Sequence, residues 1–221
     1  LRHVFVVGCP RSGTTWTQLL LARHERVVTS QETHLFSAYL GHVIGKWDQA
    51  SRLPEDRRKV GLTAVLEPPD FFAACRAFAD RAFAPILASR PTADVLVEKT
   101  PGHVLLAERI LRVYPDAFFV HVIRDPRAVV CSLRSAGRSW GRHWAPTNVV
   151  DGARYWRKRV EAGRGIAGLT PRYHEVRYHD LSRDAAGELA RLCDFLELGA
   201  GPEFCREAAE AWTARTPEKP R

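Results

Sequence analysis

Residues 3–15 read HVFVVGCPRSGTT, and this stretch decides the fold. Its first five residues are almost all β-branched or aromatic, which predicts a buried strand. Gly8 and Gly13 bracket a turn, and apolar residues at helical spacing over 14–24 predict a helix. A strand, a glycine-bounded turn and a helix in this order are typical of the first unit of a parallel α/β fold.

The remainder of the chain repeats this alternation of strands and helices. Thr100 and Asp125 each precede a proline, which predicts a helix cap followed by the first helical residue. Further strands are predicted at 27–28, 94–98, 117–123 and 175–177, and further helices at 105–113, 128–134, 152–163 and 184–196. The pattern predicts an α/β fold with a P-loop-like parallel β-sheet flanked by helices on both faces.

The length of 221 residues, of which 45% are hydrophobic, suits a single domain spanning 1–221. Residues 36–90 lack the strand pattern and predict a helical insertion broken by prolines. Residues 137–150 are rich in glycine and tryptophan and predict a loop. Ligands of such sheets sit at the carboxyl ends of the strands, so we expect the informative residues to lie there.

Composition excludes several classes of protein. No apolar run approaches the ~20 residues of a membrane span, and the strand pattern that starts at residue 3 leads us to expect no secretory leader. The five cysteines lack paired spacing, which favours free buried thiols, no zinc and a cytoplasmic location. The net charge of +8 comes mostly from arginine, either as a solvated surface or for an anionic ligand. The basic residues form no single block, so a nucleic-acid partner is not expected.

The turn at 8–15 has the spacing of a phosphate-binding loop, G-x-x-x-x-G-K-[ST]. Its glycines allow the backbone to curl around an oxyanion, and the following helix presents free N–H groups. Thr14 stands where nucleotide triphosphatases have lysine, which argues against ATP or GTP hydrolysis. Arg11 supplies positive charge inside the turn instead.

Residues 10–16, PRSGTTW, resemble the 5′-phosphosulfate loop of PAPS-dependent sulfotransferases, in the P-R-S-G-T-T form of bacterial and Golgi-type members. PAPS is 3′-phosphoadenosine 5′-phosphosulfate. The resemblance implies that Trp16 lies against the adenine, although core packing is an alternative for this side chain. It also implies that the 5′-phosphosulfate is held by Arg11, Ser12, Gly13, Thr14 and Thr15.

Residues 122–132, VIRDPRAVVCS, form a second motif at the end of a predicted strand. Taken alone, it predicts a capped helix beside an ion pair. Together with the first loop it resembles the family's 3′-phosphate motif, which implies that Arg124 and Ser132 bind that phosphate, with Arg127 a lesser candidate. Binding one bisphosphorylated adenosine requires Arg124 and the glycine turn to lie on the same side of the sheet.

Two segments supply candidates for the chemistry of sulfuryl transfer. Residues 31–36, QETHLF, resemble a segment of polysaccharide sulfotransferases in which the glutamate is the general base, which gives that role to Glu32. His34 is the competitor, because its unperturbed pKa suits a base. Residues 98–101, EKTP, resemble a segment whose lysine lies near the transferred group, so Lys99 would stabilise charge together with Arg11. Surface or structural roles remain the alternatives for these three side chains.

The resemblance therefore implies an enzyme that passes a sulfuryl group from PAPS to an acceptor hydroxyl or amine, releases PAP and needs no metal. A nucleotide kinase-like phosphotransferase and a non-catalytic nucleotide-binding module are the alternatives. The acceptor is open among small molecules, glycans, lipids and carrier-bound chains, and so is the oligomeric state. Aromatic and basic residues in 36–90 and 139–156 are candidates for contacting the acceptor. Relatives close over the nucleotide with a basic loop that residues 216–221 do not resemble, and 135–143 is an alternative.

Overall fold

The computed structural model describes residues 1–54 and 60–213. Within these residues, five parallel strands form one sheet, and all five, including the two edge strands, were predicted from the sequence. The strands are β1 (Arg2–Gly8), β2 (Val27–Thr29), β3 (Val95–Glu98), β4 (Phe118–Ile123) and β5 (Tyr173–Arg177), in the spatial order β2-β3-β1-β4-β5. The predicted P-loop-like parallel sheet is thus confirmed.

Helices connect the strands and cover the sheet. The α-helices are α1 (Thr14–Leu21), α2 (Gly41–Ser51), α3 (Pro68–Ala88), α4 (Ala107–Val113), α5 (Pro126–Gly137), α6 (Val149–Gly165), α7 (Tyr178–Arg183), α8 (Ala185–Phe195) and α9 (Pro202–Thr213). Shorter 3₁₀ turns occupy Leu62–Ala64, Pro101–Leu106 and Ile166–Gly168, and a π-helix occupies Leu35–Leu40.

The two faces of the sheet bury separate hydrophobic cores, because successive side chains of a strand point to opposite faces. Phe5 and Val7 of β1 pack with the π-helix, α2, α3 and α4. Val4 and Val6 pack with α1, α8 and α9 on the other face. Helices therefore cover both faces, as the near-continuous apolar strands predict. The cysteines are unpaired and, apart from Cys131, buried, also as predicted.

The predicted helical insertion at 36–90 is helical over most of its described residues. The helices begin at Leu35 and end at Ala88, close to the predicted limits. Pro68 is the first residue of α3, where its fixed φ and missing N–H are tolerated. Several aromatic side chains of this segment, such as Phe71 and Phe83, are buried against the sheet. The segment therefore forms part of the hydrophobic core on one face of the sheet.

Several predicted boundaries were wrong. The first helix ends at Leu21 rather than at residue 24. The backbone N–H groups of Arg23 and His24 donate to carbonyl oxygens three residues earlier, which tightens the last turn before β2. The helix predicted at 105–113 is a 3₁₀ turn followed by α4. The backbone of Leu106, at φ −126° and ψ 13°, separates the two pieces. α5 begins at Pro126, as its predicted cap requires, but extends beyond the predicted end, and α6 extends beyond the predicted limits at both ends.

The central position of β1 determines where the site forms. Gly8, the last residue of β1, pairs with Val122 of β4, and Phe5 pairs with Glu98 of β3. The neighbours β3 and β4 lie on opposite sides of β1. The loops that follow these three strands consequently meet at one edge, where parallel α/β sheets bind ligands.

Candidate functional site

The loop after β1 has a backbone that only glycine permits at two positions. Gly8 has φ +150° and Gly13 has φ +100°. A Cβ atom on Gly8 would lie 2.5 Å from the carbonyl oxygen of Val122, and one on Gly13 would lie 2.5 Å from the Tyr178 ring. Arg11, at φ +75°, also occupies the left-handed region. The loop is therefore a curled backbone packed closely against two other elements.

The polar groups of this loop suit an oxyanion. The side chain of Ser12 is fully buried, and its hydroxyl has no hydrogen-bond partner among the described residues. Thr14 and Thr15 begin α1, where backbone N–H groups have no acceptor within the helix. Arg11 is exposed beside them. A buried hydroxyl, helix N–H groups and a guanidinium are the donors that bind phosphate or sulfate groups.

The second motif lies directly against the first. Arg124, which follows β4, donates from Nη1 to the carbonyl oxygen of Arg11 over 3.3 Å. Arg11 in turn donates from Nε to the hydroxyl of Ser132 on α5 over 3.0 Å. Trp156 fixes the end of the strand by donating from Nε1 to the carbonyl oxygen of Arg124. The structure thus brings together Arg11, Arg124 and Ser132, which are distant in the sequence, on one side of the sheet.

Asp125 caps α5, as the sequence predicts. Its carboxylate accepts a hydrogen bond from the backbone N–H of Arg127 at 2.8 Å and pairs with that residue's guanidinium at 2.7 Å. These hydrogen bonds lower the pKa of Asp125 to about 2. The Arg127 side chain is 89% exposed and is committed to Asp125 rather than to Ser132. It therefore differs from Arg124, which extends over the neighbouring loop.

Tyr178, at the start of α7, links the two loops, and no role was assigned to it from the sequence. The guanidinium of Arg124 lies 4.2 Å from the centre of its ring. Trp16 meets the same ring edge to face, with 5.5 Å between centroids, and also packs on the core beside α1. The position of a tyrosine directly after β5 was the available indication, because that is the same edge of the sheet.

Three candidates for the chemistry form a second cluster. Lys99 Nζ donates to Glu32 Oε1 over 2.5 Å, although Lys99 is only 6% exposed. The other carboxylate oxygen of Glu32 lies 3.5 Å from Nε2 of His34. Glu32 and His34 remain partly exposed, at 38% and 55% of their side chains. A half-exposed carboxylate, a buried ammonium and an imidazole therefore meet at one point.

A buried carboxylate lies beneath this cluster. Glu98 Oε1 accepts hydrogen bonds from the hydroxyls of Thr100 (2.6 Å) and Thr33 (2.8 Å), and Oε2 lies 2.9 Å from Nδ1 of His103. The backbone N–H groups of Phe36 and Ser37 both point to Nε2 of His103. Because Nε2 accepts, the hydrogen-bond network assigns the ring proton to Nδ1, which donates to Glu98.

This arrangement corrects one prediction and explains how the cluster is held. The hydroxyl of Thr100 makes no helix cap and bonds Glu98 instead. Burial alone would raise the pKa of Glu98, but hydrogen bonds from His103, Thr100 and Thr33 outweigh it and hold the pKa below its ordinary value. The network spans residues next to Lys99 and next to Glu32, so it fixes both partners of that ion pair.

A cavity of about 450 Å³ joins the two clusters. Its lining includes Arg11, Thr14 and Thr15 from the first loop and Glu32 and His34 from the second cluster. The remaining lining residues are Pro10, Ser37, Thr100, Pro101, Gly102, Trp140, Trp144 and Tyr155. Residues 139–156 were expected to contact the acceptor, and three aromatic side chains of this segment do line the cavity. Residues 36–90 contribute only Ser37 among their described positions, because most of their aromatic side chains pack in the core, and the exposed Tyr39 and Phe78 lie outside the lining.

Two further observations concern residues 1–54 and 60–213. They contain no group of three or more histidine, cysteine, aspartate or glutamate side chains arranged to hold a metal ion. None of their helices is both long enough and apolar enough to cross a bilayer. The residues 216–221 considered above for a closing loop lie outside the described part of the chain.

The parallel sheet and the two adjoining loops at its carboxyl edge define a P-loop-like α/β protein. The sequence profile of the sulfotransferase family matches residues 3–201, and the chain belongs to this family. The match covers most of the chain and includes both loops and the cluster of Glu32, His34 and Lys99.

Individual relatives agree with this membership. The nodulation protein NoeE of Sinorhizobium fredii is 30% identical over 137 residues, which are 62% of this chain and 31% of NoeE. The omega-hydroxy-beta-dihydromenaquinone-9 sulfotransferase Stf3 of Mycobacterium bovis is 32% identical over 114 residues, 47% of this chain and 29% of Stf3. The chain thus spans less than a third of the length of these two relatives.

Solved structures share the fold. The sulfotransferase domain of the curacin biosynthetic pathway superposes with a TM-score of 0.60 at 21% identity, covering 92% of this chain and 77% of that domain. The sulfotransferase STF1 of Mycobacterium tuberculosis gives a TM-score of 0.61 at 17% identity, covering 95% and 70%. The parallel sheet with its helices is therefore the family's architecture.

Proposed function

We propose that this chain transfers a sulfuryl group from PAPS to a hydroxyl or amine of an acceptor and releases PAP. The observation that carries the proposal is the meeting of two loops, through Arg11 and Arg124, beside the carboxylate of Glu32. Two separate cationic positions suit an adenosine that carries charged groups at both 5′ and 3′ ends. A base beside the 5′ position suits transfer from that end.

The nucleotide would lie along the carboxyl edge of the sheet. The 3′-phosphate would bind to Arg124 and Ser132, and Trp16 and Tyr178 offer aromatic surface between the two ends. The 5′-phosphosulfate would bind to Arg11, Ser12, Gly13, Thr14 and Thr15. The buried hydroxyl of Ser12 supports this assignment, since a buried polar group without a partner costs free energy until one is supplied.

The reaction needs a base, an in-line approach and stabilisation of a developing charge. Glu32 would take the proton of the acceptor as the acceptor oxygen or nitrogen forms its bond to sulfur. The bond from sulfur to the bridging phosphate oxygen breaks, and the charge remains on PAP. Lys99 and Arg11 would stabilise that charge, and no metal is needed because side-chain cations surround the group.

His34 is the second candidate for the base, because its Nε2 lies 3.5 Å from Glu32 and it lines the same cavity. Glu32 is favoured because Lys99 and the buried Glu98 network hold it in place. A kinase-like reaction is disfavoured by Thr14, which occupies the position of the phosphate-binding lysine. A non-catalytic module would have no use for a carboxylate beside the loop.

Several properties of the whole protein belong to this proposal. We propose that residues 1–221 form one sulfotransferase domain with a helical insertion at roughly 36–90, located in the cytoplasm. The acceptor would be a small molecule, glycan, lipid or carrier-bound chain rather than a nucleic acid. Stf3, by its name, acts on a lipid quinone, which is compatible with this range.

The experiment is incubation with PAPS and a panel of acceptors, measured as PAP formation. The Glu32→Gln variant should bind PAP normally and turn over at least ~10²-fold more slowly, the low end for loss of a general base. Glu25→Gln, which changes an exposed carboxylate, is the matched control and should keep full activity. Near-normal turnover by Glu32→Gln would transfer the role to His34, and absence of PAP with every acceptor would contradict the proposed reaction.

A further inference from the structure

Part of the lining of the cavity consists of flat, mostly apolar side chains. Pro10 and Pro101 come from the loops after β1 and β3, and Trp140, Trp144 and Tyr155 come from the segment after α5. Trp140 is 66% exposed and Trp144 is 39% exposed, and their rings lie 5.5 Å apart at 54°. Large aromatic surface left open beside a polar centre is typical of a ligand site.

Arg11 and Glu32 are the formally charged side chains in the described lining of the cavity, and Arg11 is already engaged with Ser132 and lies 5.7 Å from the Trp140 ring. The ammonium of Lys99 is buried against Glu32. Within the described lining, no further cation is available to pair with a negative group on an acceptor. An anionic acceptor would therefore approach Glu32 without compensation.

The hydrogen-bonding side chains of Thr14, Thr15, His34 and Ser37 come from the first loop and from the segment around Glu32, whereas the segment after α5 contributes aromatic side chains. A sugar would carry several hydroxyls against these aromatic side chains and leave most of them without partners, which costs free energy. A hydroxyl attached to an apolar body meets no such cost.

On the basis of the proposed function, we infer that the acceptor is an uncharged, predominantly apolar alcohol. Its hydroxyl reaches Glu32 while its apolar body lies between Trp140 and Trp144. These two tryptophans are the specificity-determining residues of the site. The proton of the hydroxyl passes to Glu32, the oxygen bonds to sulfur, and the leaving group is PAP, so atoms and charge balance.

The first experiment measures binding without turnover. Straight-chain primary alcohols of increasing length, their ω-carboxylate counterparts and a monosaccharide are titrated by calorimetry into the wild-type chain saturated with PAP, which carries no sulfuryl group to transfer. Affinity should rise about three- to fourfold per methylene over the buried part of the chain. The carboxylates should bind at least ~10-fold more weakly than alcohols of equal length. Carboxylate or sugar binding that equals that of the alcohols would overturn the inference.

The second experiment measures kcat/KM for the same alcohols with the wild-type chain and PAPS. The double variant Trp140→Ala/Trp144→Ala should lose most of the dependence on chain length, whereas Phe78→Ala, an exposed aromatic outside the cavity lining, should keep it. An unchanged slope in the double variant would overturn the role of the tryptophans. PAP release with charged or sugar acceptors alone would overturn the inference and leave sulfuryl transfer intact, whereas failure of the proposed function is absence of PAP with every acceptor.

Discussion

The two polar clusters of the site lie side by side and are built in opposite ways. In the loops after β1 and β4, Arg11 is exposed and Arg124 is half-buried, and each makes one side-chain hydrogen bond and one aromatic contact. Beneath Glu32, the carboxylate of Glu98 and the ring of His103 are almost wholly buried, and all four of their polar atoms have partners.

The difference separates side chains that are available to bind an anion from side chains that stabilise the fold beneath the site. An arginine kept near solvent contributes little to folding and leaves its donors available to an anion. A buried carboxylate is tolerated only when fully hydrogen-bonded, and removing one member leaves the others unpaired. Substitution in the first cluster should therefore change affinity, and substitution in the second should change stability.

The largest expected effect is on stability. Glu98→Ala should lower the free energy of unfolding by about 3 kcal/mol or more, because each of the three largely buried donors left without an acceptor costs about 1–3 kcal/mol. Thr33, Thr100 and His103 would all lose their acceptor. Urea unfolding measures this, with Glu25→Ala as the exposed control, expected within about 0.5 kcal/mol of wild type. A loss below 1 kcal/mol for Glu98→Ala would contradict the supporting role.

The same carboxylate gives a pH dependence. Because the pKa of Glu98 in the folded chain lies below its ordinary value of 4.5, the unfolded chain takes up a proton first as the pH falls. The contribution of Glu98 to stability is therefore complete above about pH 4.5 and is lost as the pH falls through the folded-state pKa. In urea unfolding from pH 7 down to acid pH, Glu98→Gln should show a weaker acid-induced loss of stability than wild type. Parallel curves would contradict the argument.

The next effect is on affinity. Arg124→Ala should weaken PAP binding by about 10- to 100-fold, the equivalent of one charge-assisted contact, and should hardly change binding of the analogue with a 3′-hydroxyl. Calorimetry with both nucleotides separates the two. Arg127→Ala, whose guanidinium is occupied by Asp125, is the matched control and should bind both normally. Equal losses of affinity for the two nucleotides would contradict the assignment of Arg124 to the 3′-phosphate.

The smallest effect concerns the aromatic support. Tyr178→Leu should weaken PAP binding about two- to fivefold, because it removes the ring beneath Arg124, a contact worth about 0.5–1 kcal/mol at an exposed position. Tyr178→Phe keeps the ring and should bind as wild type does. If the phenylalanine variant loses as much affinity as the leucine variant, the hydroxyl rather than the ring is what matters.

Much of the edge of the sheet could be predicted from sequence for one physical reason. Parallel strands place their carboxyl ends together, so residues that follow different strands, such as Arg11, Lys99 and Arg124, are brought close once the strands are recognised. The roles assigned to these residues stay predictions. The apolar strands and the Asp125 cap were local patterns and appeared as predicted.

The remainder of the site depends on contacts that no local pattern encodes. Thr100 has the sequence of a helix cap, yet its hydroxyl bonds Glu98, because a buried carboxylate attracts the nearest donors. His103 pairs with the same carboxylate across a 3₁₀ turn that the sequence predicted as part of an ordinary helix. Tyr178 contributes by lying between two loops that come from other strands.

The missing side chain at position 13 has a consequence for the loop after β4. A Cβ atom on Gly13 would lie 2.5 Å from the Tyr178 ring, and the guanidinium of Arg124 rests on that same ring. A single added carbon in the first loop would therefore displace the ring on which Arg124 packs. The two loops of the proposed donor site thus share one aromatic contact, which the absence of a side chain at Gly13 makes possible.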